Sequence, residues 1–92
     1  MHQIIKKPGA HYIEDAQGTV AEMTYSNAGG KAMIIDHTYV RDSHRGQGLG
    51  KALLDSLVAE ARERGMKIIP LCPFVKAQFD KNRELYRELS VV

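Results

Sequence analysis

The chain is poor in most of the features that mark a specialised class of protein. It has a single cysteine, so no internal disulfide framework can form and no second thiol offers a zinc pair; no metal is expected. Its purely apolar runs are only a few residues long, which argues against a membrane-spanning helix. Charge of one sign is scarce. Lys and Arg number 13 against 11 Asp and Glu, the net charge is +2, and no basic run concentrates it, so nucleic acid is not an expected partner. No repeat, low-complexity tract or linker divides the sequence. Met1-His2-Gln3 leads straight into folded-looking sequence without the apolar segment of a secretory signal, and a reducing, cytoplasmic setting is expected. What is present is the mix of a globular domain. With 43% hydrophobic and 26% charged residues, the 92 residues suffice for one core over 1–92 and no second. A domain of this size takes a large ligand in a cleft, and a monomer or weak dimer is expected.

The first half has the period of strands. Ala10 to Glu14 is a short β-like run closed by Asp15-Ala16-Gln17-Gly18. Thr19 to Tyr25 alternates, with Val20, Glu22 and Thr24 on one face and Ala21, Met23 and Tyr25 on the other. After the turn signal Asn27-Ala28-Gly29-Gly30, Ala32 to Val40 is a long strand. Strict alternation puts Met33, Ile35, His37 and Tyr39 on one face and Ile34, Asp36, Thr38 and Val40 on the other. These three segments predict an antiparallel meander.

The period then changes. Leu49, Leu53, Leu57 and Ala61 recur every four residues, widened by Ala52, Leu54 and Val58, and predict an amphipathic helix from about Gly48 to Arg64. Arg62 and Arg64 suit its negative end, and Gly65 its C-terminal cap. Met66 to Leu71 is a short apolar strand. It should lie parallel to Ala32–Val40 through a right-handed crossover. Pro73 at a first helical position makes Cys72 the N-cap of a helix to about Lys81; a helical or looped tail runs from Arg83 to Leu89. The fold class is α/β: a small mixed sheet with helices against it.

The segment Arg45-Gly46-Gln47-Gly48-Leu49-Gly50-Lys51 sits between a strand and the long helix. Glycines uncover backbone N–H groups where a helix N-terminus already lacks partners for them, which makes an anion site suited to phosphate. Arg45 and Lys51 add positive charge. The alternative is that the glycines only tighten the turn. A Walker A loop is excluded because Gly50-Lys51 is followed by Ala52, and a dinucleotide fingerprint because the glycine spacing is wrong.

Arg45-Gly46-Gln47-Gly48-Leu49-Gly50 resembles the Arg/Gln-x-x-Gly-x-Gly/Ala pattern of the GNAT acyl-CoA-dependent N-acyltransferases. With Asp36-His37-Thr38-Tyr39-Val40 and Leu71-Cys72-Pro73-Phe74-Val75, it is similar to a compact GNAT-like group of about this length, over Glu14 to Tyr86. The resemblance implies acetyl-CoA as co-substrate and an amine acceptor, either a small molecule or a protein amino group. Amides from Arg45 to Gly50 would hold the pyrophosphate. The pantetheine arm would run between splayed parallel strands, with backbone near Tyr39 and Val40 polarising the thioester carbonyl. The sequence lacks the N-terminal elements that help enclose the acceptor in the larger family. Phe79 stands near the place of the family's tyrosine acid, and Tyr86, further along, is a possible substitute.

An amine must lose a proton to attack, so a base is needed. His37 on the central strand is the first candidate, its alternative being packing on a sheet face. Glu22 is the second, and a solvated strand face is its alternative. His44 is more a ligand-side or exposed residue than a base. Cys72 falls at the end of a parallel strand and at the start of a helix. Nucleophile, acid or base near the CoA sulfur, and inert packing are its three possible roles. The functional reading is an acetyl-CoA-binding N-acetyltransferase; a CoA-binding module without turnover and a protein that acylates itself at Cys72 are the rivals.

Overall fold

The computed structural model describes residues 3–90. Four strands, β1 (Ile5–Lys7), β2 (Ala10–Asp15), β3 (Gly18–Ala28) and β4 (Ala32–Val40), precede helix α1 (Leu49–Arg64), strand β5 (Lys67–Pro70) and helix α2 (Pro73–Lys81). Single 3-10 turns occupy Asp42–His44 and Arg87–Leu89. The five strands form one sheet in the order β1-β2-β3-β4-β5, antiparallel up to β4 and parallel from β4 to β5. The expected meander and strand–helix–strand unit are present, with β1 added at one edge, where three residues are too few for periodicity to register. The last strand is shorter than the apolar run Met66–Leu71. Met66 is buried just before it, and Leu71 is exposed just after it.

α1 buries Leu49, Leu53, Leu54, Leu57, Val58 and Ala61 and packs across β2, β3, β4 and β5. Each leucine taken fully from water contributes about 2 kcal/mol, so this stripe holds the helix to the sheet. At its end the Met66 N–H reaches back to the Ala61 carbonyl at 2.8 Å, across Gly65. α2 packs on β5 and contributes Val75 and Phe79 to the same core. No helix among the described residues is long and apolar enough to cross a membrane.

Strict alternation fails twice. In β3, Ala21 pairs with Ile13 but Thr19 pairs with Glu14, so Val20 is an extra residue and is buried beside Ala21 instead of lying on the outer face with Glu22 and Thr24. The second break is in β4. Thr24 pairs with His37 but Tyr25 pairs with Ile35, so Asp36 is an extra residue on the β4 side. Such a bulge inverts the faces beyond it. Met33 and Ile35 face the helices as expected, but His37 and Tyr39 do not join them. Thr38 and Val40 turn inward instead, while His37 and Tyr39 lie exposed on the outer sheet face.

His11 is the buried residue of polar or charged type among the described residues, and it ties the sheet to α1. The His11 ring bonds the Ser56 hydroxyl through Nδ1 at 2.7 Å and Glu60 Oε1 through Nε2 at 3.0 Å. A carboxylate only accepts, so Nε2 carries the proton, and Nδ1 of the neutral ring accepts from Ser56. Tyr25 and Arg64 donate to the other Glu60 oxygen at 3.2 and 2.9 Å. Burial pushes the His11 pKa below its ordinary value and the Glu60 bond opposes that. At Glu60 burial works upward, but the bonds from His11 and Arg64 hold its pKa below the usual value. Both signs make acid destabilising. A lowered histidine pKa contributes stability above the unfolded value of 6.5 that is lost as pH falls through the folded value. Thermal unfolding followed by circular dichroism should show Tm falling as pH drops from about 7 to about 5, with a shallower fall in His11→Gln. An identical slope in that variant would assign the acid sensitivity elsewhere.

Candidate functional site

Two structural breaks build the site. The first is the end of strand pairing. β5 runs beside β4 only from Ala32–Lys67 to Ile35–Pro70. Pro70 has no N–H to extend the ladder, and the Leu71 and Cys72 amides both donate to the Ile35 carbonyl at 3.0 Å, which turns the chain away. β4 continues for five residues past Ile35, with β3 on one side and no strand on the other. The Arg41 amide points to the Val20 carbonyl on β3 at 2.7 Å. Because backbone groups alternate sides along a strand, Thr38 and Val40 present N–H and C=O to the gap, whereas Tyr39 presents its own to β3.

The second break is the entry to α1. Gly46 and Gly48 have φ of 82° and 76°, a left-handed backbone that residues with a Cβ rarely adopt. Gly50 serves a different end: a Cβ there would stand 3.2 Å from the Phe74 ring, a tight contact, so the absent side chain lets the two helix starts approach. The N-cap, Gly48, has no side chain to cap the helix, and the first intrahelical bond is Ala52 N–H to Gly48 C=O at 3.0 Å. The amides of Leu49, Gly50 and Lys51 therefore lack acceptors of their own helix, at its positive end.

Both breaks open into one cavity of about 550 Å³. Asp36, His37, Thr38 and Val40 line it from β4. Arg45, Gly46, Gly48, Leu49 and Gly50 line it from the glycine turn, and Cys72, Pro73 and Phe74 from the start of α2. The cleft reaches through the sheet, since His37 belongs to its outer face and Thr38 to its helix face. Cys72 is nearly buried at the N-cap of α2, and its Sγ lies 3.0 Å from Thr38 Oγ1. The Thr24 hydroxyl donates to Asp36 and fixes the bulge. His44 also lines the cleft, with Nδ1 2.9 Å from the Ser43 hydroxyl.

Several residues singled out from the sequence stand outside this cleft or are engaged by other groups. Tyr86 does not line this cleft. It is buried and stacked on Phe79, with ring centroids 4.4 Å apart, its hydroxyl has no partner, and it borders a separate cavity of about 530 Å³ near the chain's end. Lys51 turns along its helix to Asp55 at 2.9 Å, a bond that raises its pKa against the effect of burial, so its charge is partly committed. Arg45 is largely exposed and bonded to Asp42 at 3.1 Å. Gln47 is exposed in the turn. Glu22 and Tyr39 lie on the outer sheet face, directly opposite one another and outside the cleft wall. Sequence reasoning missed Thr38 as a partner of Cys72 and Asp36 as a wall residue. The acidic Asp36 interrupting an apolar run was the available signal for the bulge. Among the described residues no group of three or more His, Cys, Asp or Glu is placed to hold a metal ion.

Comparison with known proteins agrees with this fold. The sequence profile of GCN5-related N-acetyl-transferases matches residues 10–89. The solution structure of a Staphylococcus aureus protein described as GCN5-like superposes with a TM-score of 0.79 at 37% identity, over 97% of this chain and 87% of that one. Ribosomal-protein-alanine N-acetyltransferase from Brucella melitensis gives 0.60 at 29% identity, over 90% of this chain but only 63% of its own. N-acetylglutamate synthase from Neisseria gonorrhoeae, solved with coenzyme A and N-acetyl-glutamate, shares the fold at a TM-score of 0.65 and 17% identity, and this chain spans 18% of it. No curated protein sequence matches the chain. The profile covers nearly the whole chain, and the chain belongs to the GCN5-related N-acetyltransferase family.

Proposed function

We propose that the protein transfers the acetyl group of acetyl-CoA to the nitrogen of an amine, by direct attack within a ternary complex. The observation that carries this reading is a strand gap opening onto uncapped helix amides within one cleft. Acetyl-CoA supplies an activated acyl thioester. The residues here fit such a co-substrate: the Leu49, Gly50 and Lys51 amides suit its pyrophosphate, and the gap-facing backbone of Thr38 and Val40 suits its amide-bearing arm. A backbone N–H in that gap stabilises the oxygen that gains charge during attack.

His37 takes the proton from the attacking nitrogen. It lies on the outer face at the cleft wall, exposed enough to meet an acceptor from solvent. As the N–C bond forms and the C–S bond breaks, the departing sulfur needs a proton. The Cys72 thiol and Thr38 hydroxyl are the proton-bearing side chains at the gap. A reducing compartment suits the free thiol.

A second reading is favoured by the Cys72–Thr38 contact at 3.0 Å inside the cleft. In it the Cys72 sulfur attacks the thioester, the acyl group moves to Cys72, and CoA leaves with the proton given up by that thiol.

Thiol release from acetyl-CoA over a panel of amines tests the first reading. His37→Ala should lower kcat by about a hundredfold, in the range of a lost general base, while CoA affinity stays within about twofold. Equal loss of both would make His37 structural, and bound CoA without release over background would make the protein a binding module. Intact-mass measurement after incubation with acetyl-CoA alone tests the second. Self-acylation adds one acetyl group to the wild type and none to Cys72→Ser, and an unmodified wild type rejects it.

A further inference from the structure

The outer sheet face carries a row of side chains that the transfer reaction does not use. Tyr12, Glu22 and Tyr39 stand directly opposite one another on β2, β3 and β4. Residues so paired project from the same face about 5 Å apart, which places one carboxylate between two phenol rings. Glu22 is only partly exposed, and none of the described residues forms a hydrogen bond or ion pair with it. The nearby cations are already engaged. Lys7 lies over the Tyr12 ring, its Nζ 5.0 Å from the centroid, so one end of the row already takes an ammonium group of the chain itself. Arg41 lies beside Tyr39 but is bonded to Asp15 at 2.9 Å and to the Gly18 and Thr19 carbonyls.

We infer that the Glu22–Tyr39 pair binds an aliphatic ammonium group, and that it selects acceptors carrying a second, unreacting ammonium. This rests on the acetyl-transfer reading and names the acceptor side of it. A carboxylate beside a phenol face offers an ion pair and a cation–π contact to the same group. Glu22 is the diagonal neighbour of His37 on this face, at about 7–8 Å, and His37 lines the cleft. An unbranched chain of about five carbons spans that separation. One nitrogen then rests at Glu22 and the other reaches His37 at the mouth of the gap. Asp36 at the cleft wall adds a further negative group. The same charges repel a carboxylate, so an amine bearing one at its far end is disfavoured.

The experiment uses the full chain without CoA and two probes of matched length, 1,5-diaminopentane and 6-aminohexanoate, titrated by calorimetry and amide NMR. The diamine should bind at least fivefold tighter and move the amides of Glu22, Tyr39 and His37. Glu22→Gln should weaken diamine binding at least fivefold and erase the preference. Tyr39→Leu should weaken it by about threefold, through loss of the ring face. Affinity for CoA, measured separately, should be unchanged in both variants. Equal binding of the two probes, undiminished binding in Glu22→Gln, or no diamine binding to the wild type would overturn the inference. Acetyl transfer to other amines in that case leaves the general reading standing. Diamine binding with no acetyl transfer would instead fail the general reading alone.

Discussion

Four residue pairs join β4 to β5, and the site exists because the pairing stops there. A fully paired parallel sheet would leave no free backbone edge in the interior. Here Pro70 withholds a donor, the next two amides converge on the Ile35 carbonyl, and β4 runs on alone on that side. Unpaired strand groups inside a fold are costly unless something else satisfies them. Water can do so at an open cleft, and so can a ligand with amide groups at strand spacing. The same segment holds the bulge at Asp36, which turns Thr38 toward Cys72 and His37 toward the opposite face. One extra residue therefore separates the group proposed to handle the acceptor's proton from those proposed to meet the leaving sulfur.

The helix entry supplies the complementary half. Its glycines serve two physical ends: two adopt a left-handed backbone, and the third makes room for Phe74. Uncapped amides at a helix start favour an anion without any side-chain charge, and the two cations beside them, Arg45 and Lys51, are bonded to Asp42 and Asp55. The stripe of leucines on α1 keeps that entry fixed against the sheet. The buried His11–Glu60–Ser56 cluster adds a directional tie between β2 and the same helix.

The periodic parts of the molecule were legible in the sequence. The four-residue recurrence from Leu49 to Ala61 gave α1, and Pro73 after Cys72 gave the start of α2. The glycine turn marked the uncapped start of α1 because its backbone chemistry is local. What escaped were features set by partners distant in sequence. Strict alternation put His37 and Tyr39 with Met33 and Ile35, and only the register against β3 shows the inversion at Asp36. Tyr86 was attractive for its hydroxyl, yet its ring is buried against Phe79 in the core, a packing choice that spacing does not encode. His11 gave no signal beyond sharing parity with Ile13, because Ser56 and Glu60 are more than forty residues away.

In the proposed complex, main-chain donors at the entry of α1 hold a diphosphate while the edge of β4 holds the arm attached to it. Amide NMR with two titrants tests it most directly. Coenzyme A should move the amides from Gly46 to Lys51 together with those of Thr38 and Val40. Pantetheine, which lacks the pyrophosphate, should move only the β4 pair. Coenzyme A that binds while leaving the Gly46–Lys51 amides unperturbed would place the diphosphate elsewhere.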